Sequence, residues 1–505
     1  VTLLLALAAC APKEDRPFGR DPSTDSGGTT DTGTETDPTE TDPDWDDDWA
    51  ELLERAQAQV DDDGVPGVQL AVVAGGRLRY AGGVGVTEYD GDEAVTADTV
   101  FRWASVTKMH TATAVLQLAD EGRVDLDAPI ATWLPDAHLD GGEDPGDISL
   151  RHVLTHTALL EDVLDWECSQ SIERRVETYE PYVWAPPGSF YNYSNTGFVW
   201  AGRVLEVVDG ESFEAVMQRR VLDPAGMETA TFDAAEAVSG PHATGTTWWD
   251  GAPWYYRLDE TDCPWSRPAA WLHGTSTDLA RTLEWQLADG GALLPEELAL
   301  AMRAQADTHY WPDAQEMVGM GLFTYPYKEH SLVMHDGWVT GFVSTWAVIP
   351  GTGFGVAVVA NADWADPYTL MYDAADLFLD LPNTRWPDHT TDPDTWAPFT
   401  GSYDDPVTFG RMTVSLEGSR LYVDLEDLGH RARLTQESEE YFWFQDAAGG
   451  WWDVRFIPDE DGVYRWMVNR YAVGERVDPA AHAWAPRAMH PLPPGKPAPE
   501  RWRSR

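Results

Sequence analysis

A serine and a lysine stand three residues apart in FRWASVTKMH, residues 101–110. The Ser105 hydroxyl becomes a nucleophile once a base takes its proton, and Lys108 can be that base when its amine is desolvated. If a helix begins at 105, positions i and i+3 share a face and bring hydroxyl and amine within reach. The partial positive charge at a helix start favours an alkoxide and disfavours an ammonium. A serine cap followed by a lysine with its stem laid along the surface satisfies the same pair. Composition argues for the chemical reading: of 34 basic residues only four are lysine, at 13, 108, 328 and 496. Arginine cannot give up its proton in a protein, so the cation kept at 108 is the type a base requires.

Two further stretches carry functional side chains. APPGSFYNYSNTGF, residues 185–198, sets Tyr193, Ser194 and Asn195 in a polar loop ahead of an apolar helix. A phenol beside a lysine can shuttle the serine proton, and an Asn amide can orient a substrate carbonyl. MHDGWVTGF, residues 334–342, precedes a pair of apolar strands. Its glycines at 337 and 341 are expected to let substrate approach the backbone, with the amide after Gly337 completing an oxyanion hole.

Ser105-x-x-Lys108, Tyr193-x-Asn195 and His335-x-Gly337, in this order, resemble the motifs of the serine β-lactamase and penicillin-binding-protein-like family. The resemblance runs from about residue 50 to 380. It includes LRHVLTHTALL at 150–160, VLDPAGMETATF at 221–232 and AWLHGTSTDLARTLEWQL at 270–287. It implies an acyl-enzyme serine hydrolase acting on an ester or amide, such as a small ester, a D-amino-acid peptide or a β-lactam-like amide, with no cofactor. Ser105 would be the acylated nucleophile, Lys108 its proton acceptor and Tyr193 the general base and acid. Asn195, His335, Asp336 and Gly337 would hold substrate, and the backbone amides of Ser105 and Trp338 would receive the oxyanion. A receptor that binds cell-wall peptides, without catalysis or with slow deacylation, would use the same pocket.

Two departures from the family pattern carry expectations. His335-Asp336-Gly337 stands where β-lactamases carry Lys-Thr-Gly, so an anion replaces a hydroxyl. If Asp336 faces the cleft, a substrate carboxylate about 4 Å away costs about 4 kcal/mol at an effective dielectric of about 20. That reading favours a neutral or cationic acyl substrate. HTALL replaces His-Thr-Ser-Gly-Leu, and loss of the glycine is expected to change the backbone locally.

The elements that would position these residues follow from pattern. VQLAVVAGGRLRYAGGVG, from residue 68, reads as a hairpin about Gly-Gly, and FVSTWAVIPGTGFGVAVVANA, from 342, as a second strand pair. Helices are expected over 105–121 and 196–208, each closed by a glycine. Strands at both ends of a mostly helical middle give an α+β, β-lactamase/transpeptidase-like antiparallel sheet flanked by helices, with a mostly helical subdomain, over residues 47–384. A Pro/Asp/Thr linker at 385–396 leads to short alternating strands at 397–477, a small all-β, lipocalin-like domain. Its aromatics read as core and domain contacts. Residues 478–505 read as an unstructured tail.

With 86 acidic against 34 basic residues, the net charge of −52 excludes a nucleic-acid-binding footprint. VTLLLALAAC, residues 1–10, ends in a lipobox-like Leu7-Ala8-Ala9-Cys10, which implies lipidation of Cys10 and a membrane anchor in the cell envelope, outside the cytoplasm on the periplasmic or outer-membrane side. Residues 11–46, rich in Asp, Thr, Gly and Pro, read as a disordered tether with a reach of about 32 Å. Cys168 and Cys263 are compatible with a disulfide or with two buried thiols. DDDG at 61–64 and DEDG at 459–462 do not continue into a calcium loop, and no metal site is expected.

Overall fold

The computed structural model describes residues 44–477, apart from 163–167, 250, 305–316, 383–391, 437–439, 447–450, 460 and 470. Cys10, most of the tether, much of the linker and the 478–505 tail lie outside the described residues.

Helix α1 (Asp46–Asp63) leads into the hairpin of β1 (Gly67–Ala74) and β2 (Arg77–Gly85). Gly75 and Gly76 close it with φ of 61° and 73°, which a two-residue hairpin turn of this hand demands. The helical middle includes α2 (Thr107–Asp120) and α3 (Asn195–Asp209). A separate hairpin, β3 (Gly245–Trp249) and β4 (Ala252–Tyr256), follows, and then α4 (Ser276–Leu287). The chain returns as β5 (Met317–Val318), β6 (Phe323–Tyr327), β7 (His330–Val339), β8 (Phe342–Ile349) and β9 (Phe354–Ala360), and α5 (Pro367–Phe378) completes the lobe.

The main sheet has seven strands in the order β2-β1-β9-β8-β7-β6-β5, all neighbours antiparallel. Its halves come from distant sequence, as the two separated strand pairs require. Val333, Trp346 and Val359 on one face pack with Met109 and Leu116 of α2 and Leu283 of α4. Leu70, Met334 and Val358 on the other pack with Leu52 of α1 and Met371 of α5. Central strands buried on both faces have no polar side to display, so β1 and β9 read as nearly unbroken apolar runs.

The C-terminal unit is a closed barrel of eight strands, from Gly401–Asp405 to Ala472–Val477, sealed by pairing of the first strand with the last. Its aromatics are core, with Phe399, Tyr403, Phe442 and Phe456 among the buried rings. Trp396, which composition places in the linker, is part of that core and donates its indole N–H to Gln436 Oε1 at 2.7 Å. The barrel meets the first lobe through a mixed cluster in which Leu159, Trp184 and Phe190 pack on Val407, Ile457, Val468 and Val473.

Cys168 and Cys263 form a disulfide with Cα atoms 4.5 Å apart across 95 residues of sequence. Closing so long a loop restricts the unfolded chain, and reduction is expected to lower stability by about 2–4 kcal/mol. Urea unfolding with and without reductant, compared with Cys263→Ala, measures the difference.

Candidate active site

Ser105 does not open an α-helix. It sits in a 3-10 turn, Ala104–Val106, and the α-helix starts at Thr107. The cause lies one residue earlier: Ala104 has φ of 50°, a left-handed conformation that strains any residue with a Cβ. Among the hydrogen bonds that hold the turn are three made by the hydroxyls of Ser344 and Thr107. The Ser344 hydroxyl donates to Trp103 O at 2.7 Å, the Thr107 hydroxyl to Ala104 O at 2.6 Å, and the Leu272 N–H to Thr107 Oγ1 at 3.1 Å.

Lys108 is fully buried. Its Nζ donates to Ser105 Oγ at 3.0 Å and to Ala269 O at 2.8 Å, and lies 4.9 Å from the ring centroid of Tyr193 and 5.5 Å from that of Phe198. Hydroxyl, amine and phenol ring therefore share one pocket. Arg102, just ahead of the pair, serves structure: it is buried, donates to Thr261 Oγ1 and Leu258 O, and covers the rings of Trp271 and Phe342.

Tyr193 stacks on His156, ring centroids 4.1 Å apart and 19° from parallel, while His156 Nδ1 accepts the Ser194 N–H at 3.1 Å. Asn195, the first residue of α3, is oriented by Asp162, whose carboxylate accepts the Asn195 backbone N–H at 2.7 Å and faces the side-chain Nδ2 at 3.5 Å. This leaves Asn195 Oδ1 buried with no partner among the described residues. Sequence reasoning did not single out Asp162, Ala269 or the stacking of His156. His156 lay inside a quoted segment and Asp162 two residues beyond it; a carbonyl such as that of Ala269 leaves no side-chain signal.

Alternation along β7 sorts the third motif onto two faces. Gly337 pairs with Ser344 on the face against the Ser105 turn, where a Cβ would collide with Ser344 Oγ and Trp103 O. That glycine admits the protein's own turn rather than substrate, and Gly341 likewise admits Gly245 of β3. Asp336 pairs with Thr345, whose hydroxyl donates to Pro367 O at the start of α5. Cross-strand partners share a face, so Asp336 belongs to the α5 side. The repulsion expected from a cleft-facing Asp336 loses its premise.

His335 shares the Gly337 face and is fully buried. Desolvation by burial, the largest cause, holds its pKa down at about 3, so the imidazole is neutral. Nδ1 lies 2.5 Å from Asp336 O and must donate to it, which leaves Nε2 as a bare acceptor without a partner among the described residues. Thr340 and Gly341 form a two-residue turn, so Val339 and Phe342 make the hydrogen-bonded pair and Trp338 and Val343 the next, non-bonded one. The Trp338 N–H therefore points away from β8, along an edge that β6 leaves unpaired beyond Met334.

HTALL passes through the left-handed region at two positions without a glycine. Leu159, at the glycine position, has φ of 56°, and His156 has 55°. The strained Leu159 side chain is wholly buried in the cluster against the barrel, which offsets the backbone cost. Among the described residues, no group of three His, Cys, Asp or Glu side chains converges to hold a metal ion.

The Beta-lactamase family model matches residues 52–377. The chain belongs to the β-lactamase family. It is 28% identical to Penicillin-binding protein 4 of Amycolatopsis lactamdurans over 387 residues, 71% of this chain and 98% of that protein. It is 30% identical to esterase EstB of Burkholderia gladioli over 279 residues, 46% of this chain and 69% of that one. The solved structure of SurE superposes with a TM-score of 0.67 at 25% identity, covering 86% of this chain and 99% of SurE. Family membership and relatives of this kind support a hydrolase.

The buried neutral histidines make a stability prediction. His335 and His110, the latter held at about 4 by desolvation, take up protons in the unfolded chain below about 6.5 but stay neutral in the fold. The unfolded state then binds more protons, so their contribution is complete above pH 6.5. It is lost as pH falls towards 4 for His110 and 3 for His335. Asp405 and Asp363, raised by burial to about 7 and about 6, act with the opposite sign. The difference between variant and wild type isolates the histidines: His110→Gln and His335→Gln should each flatten the acid loss by up to about 1.4 kcal/mol per pH unit. Denaturant unfolding between pH 7.5 and 4 measures it.

Proposed function

We propose that this protein is a serine hydrolase that cleaves small esters and amides through an acyl-enzyme on Ser105. The observation that carries the reading is the fully buried Lys108 Nζ, 3.0 Å from Ser105 Oγ and directly beneath Tyr193.

Lys108 accepts the Ser105 proton as Oγ attacks the substrate carbonyl, and the N–H groups of Ser105 and Trp338 receive the oxyanion. Tyr193 delivers the proton to the leaving group and then activates the water that frees the acyl group. Asn195, steered by Asp162, orients the acyl portion. His335 brings an acceptor, not a cation, to the position of the family's Lys-Thr-Gly lysine. A substrate carboxylate therefore finds no fixed positive charge on His335, and the expected preference for neutral or cationic acyl substrates rests on that neutrality rather than on Asp336. Lipidation of Cys10 would hold the enzyme at the envelope, outside the cytoplasm, where the Cys168–Cys263 disulfide persists.

A fluorophosphonate probe followed by peptide mapping should place one adduct on Ser105, and no adduct there overturns the reading. Ser105→Ala should lower aryl-ester hydrolysis by about a thousandfold or more, and Lys108→Ala should lower both labelling and turnover. Aryl esters should be cleaved with higher kcat/KM than the carboxylate-bearing nitrocefin. A burst of one equivalent followed by arrest would mark an acyl-trapping receptor instead. Incorporation of labelled fatty acid, lost in Cys10→Ala, tests the anchor.

A further inference from the structure

The β3–β4 hairpin carries every exposed Trp, Tyr or Phe residue among the described residues. They are Trp248, Trp249, Trp254 and Tyr255, at 48%, 59%, 53% and 37% exposure. Register sorts them onto two faces, because cross-strand partners share a face. Trp248 pairs with Pro253 and Thr246 with Tyr255, and this face turns to the lobe, where Trp248 meets Tyr89 at 5.8 Å and Trp364 at 6.1 Å. Trp249 pairs with Ala252 and Thr247 with Trp254, which sets the two most exposed indoles together on the outer face. As diagonal neighbours they stand about 7–8 Å apart. Neither meets another ring or a cation among the described residues.

An acidic loop borders the hairpin. Residues 88–93, EYDGDE, hold four carboxylates and no cation. The Tyr255 hydroxyl donates to Tyr89 O at 3.5 Å, and the Thr244 hydroxyl, just ahead of β3, donates to Glu88 Oε2 at 3.2 Å. Arg257 follows β4 and is itself followed by Asp259 and Glu260. Open aromatic surface beside fixed negative charge suits a ligand that brings both proline rings and arginines. A polyproline II segment packs its rings on aromatic side chains at little entropic cost, and a guanidinium stacks on an indole or pairs with a carboxylate.

One segment of the chain has that composition. Residues 478–505 follow the last barrel strand and contain Arg487, Lys496, Arg501, Arg503 and Arg505 against Asp478 and Glu500. They are net positive in a chain of net charge −52. Pro491, Pro494 and Pro497 recur every third residue. A polyproline II helix has about three residues per turn and rises about 3.1 Å per residue, so these rings fall on one edge about 9 Å apart. The two outer indoles have nearly that spacing. From Val477 to Arg501 the same conformation spans about 74 Å, against a radius of gyration of about 22 Å for a body of this size. Every face is therefore within reach, and chemistry selects among them. The acidic tether at 11–46 and a second copy of the chain would both be repelled by the 88–93 loop.

We propose that residues 486–505 dock on the outer face of the β3–β4 hairpin, with prolines against Trp249 and Trp254 and arginines toward the 88–93 loop. The contact does not depend on hydrolysis at Ser105. Tethering supplies an effective concentration of about a millimolar, so an intrinsic affinity of about 0.1 mM keeps the segment docked about nine-tenths of the time.

Hydrogen–deuterium exchange of the full chain tests the contact at amides 487–505. They should exchange about tenfold more slowly than in a free synthetic peptide of the same sequence. Exchange at the free-peptide rate overturns the proposal. Trp249→Ala combined with Trp254→Ala should abolish the protection, as should Pro494→Ser combined with Pro497→Ser; protection that survives either pair overturns it. Both indoles are more than half exposed and both prolines lie outside the lobe, so amides of β1 and β9 should stay protected in each variant. Trp249→Phe with Trp254→Phe, which keeps two rings, should retain part of the effect. Raised ionic strength should weaken it. Protection that disappears on dilution would assign the contact to a second copy and overturn docking within one chain. Sedimentation with phosphatidylcholine vesicles that is lost in the Trp249→Ala, Trp254→Ala variant would assign the hairpin to a bilayer and likewise overturn it.

Discussion

Burying the amine of Lys108 is the constraint around which this lobe is arranged. An amine taken wholly out of water needs acceptors at fixed positions, because each unmet donor costs more than a hydrogen bond returns. Ser105 Oγ and Ala269 O meet that need, from a strained turn and from a segment more than 160 residues later. Both must be held rigidly. Ala104 is forced into the left-handed region so that Ser105 can face the lysine, and the Trp103 carbonyl is caught by Ser344 from the sheet. The disulfide at Cys263 ties down the stretch leading to Ala269.

The sheet contributes through alternation. Adjacent residues of β7 perform unrelated tasks because they lie on opposite faces: His335 closes the pocket around Lys108 while Asp336 lies on the side of α5. A neutral imidazole at this position changes what the pocket can recognise. It offers a lone pair where a lysine would offer charge.

The barrel is more than an appendage on a linker. Its Arg455 lies 5.4 Å from the ring centroid of Tyr191 and its Trp466 lies 5.5 Å from Phe190, on the loop that carries Tyr193. Leu159 holds a glycine-like backbone conformation because its side chain is packed into this junction. Strain in the first lobe is thus offset by contacts with the second.

The candidate residues were legible because side-chain types able to do chemistry stand at short spacing. Ser105 and Lys108 lie three apart, Tyr193 and Asn195 two apart, and a lysine persists where the chain otherwise writes arginine. Both strand pairs and the β domain were also legible, since a sheet buried on one or both faces must show its period in hydrophobicity. What depended on distant contacts was not. Pairing with β8 turned Asp336 away from the site, packing on the barrel accompanies the left-handed backbone at Leu159, and a carbonyl at Ala269 became a ligand of the lysine. Sequence by itself determined which groups could react, because that is a property of side-chain type and local spacing. Tertiary structure decided which way they face and what surrounds them, because burial and strand register are set by residues hundreds of positions away.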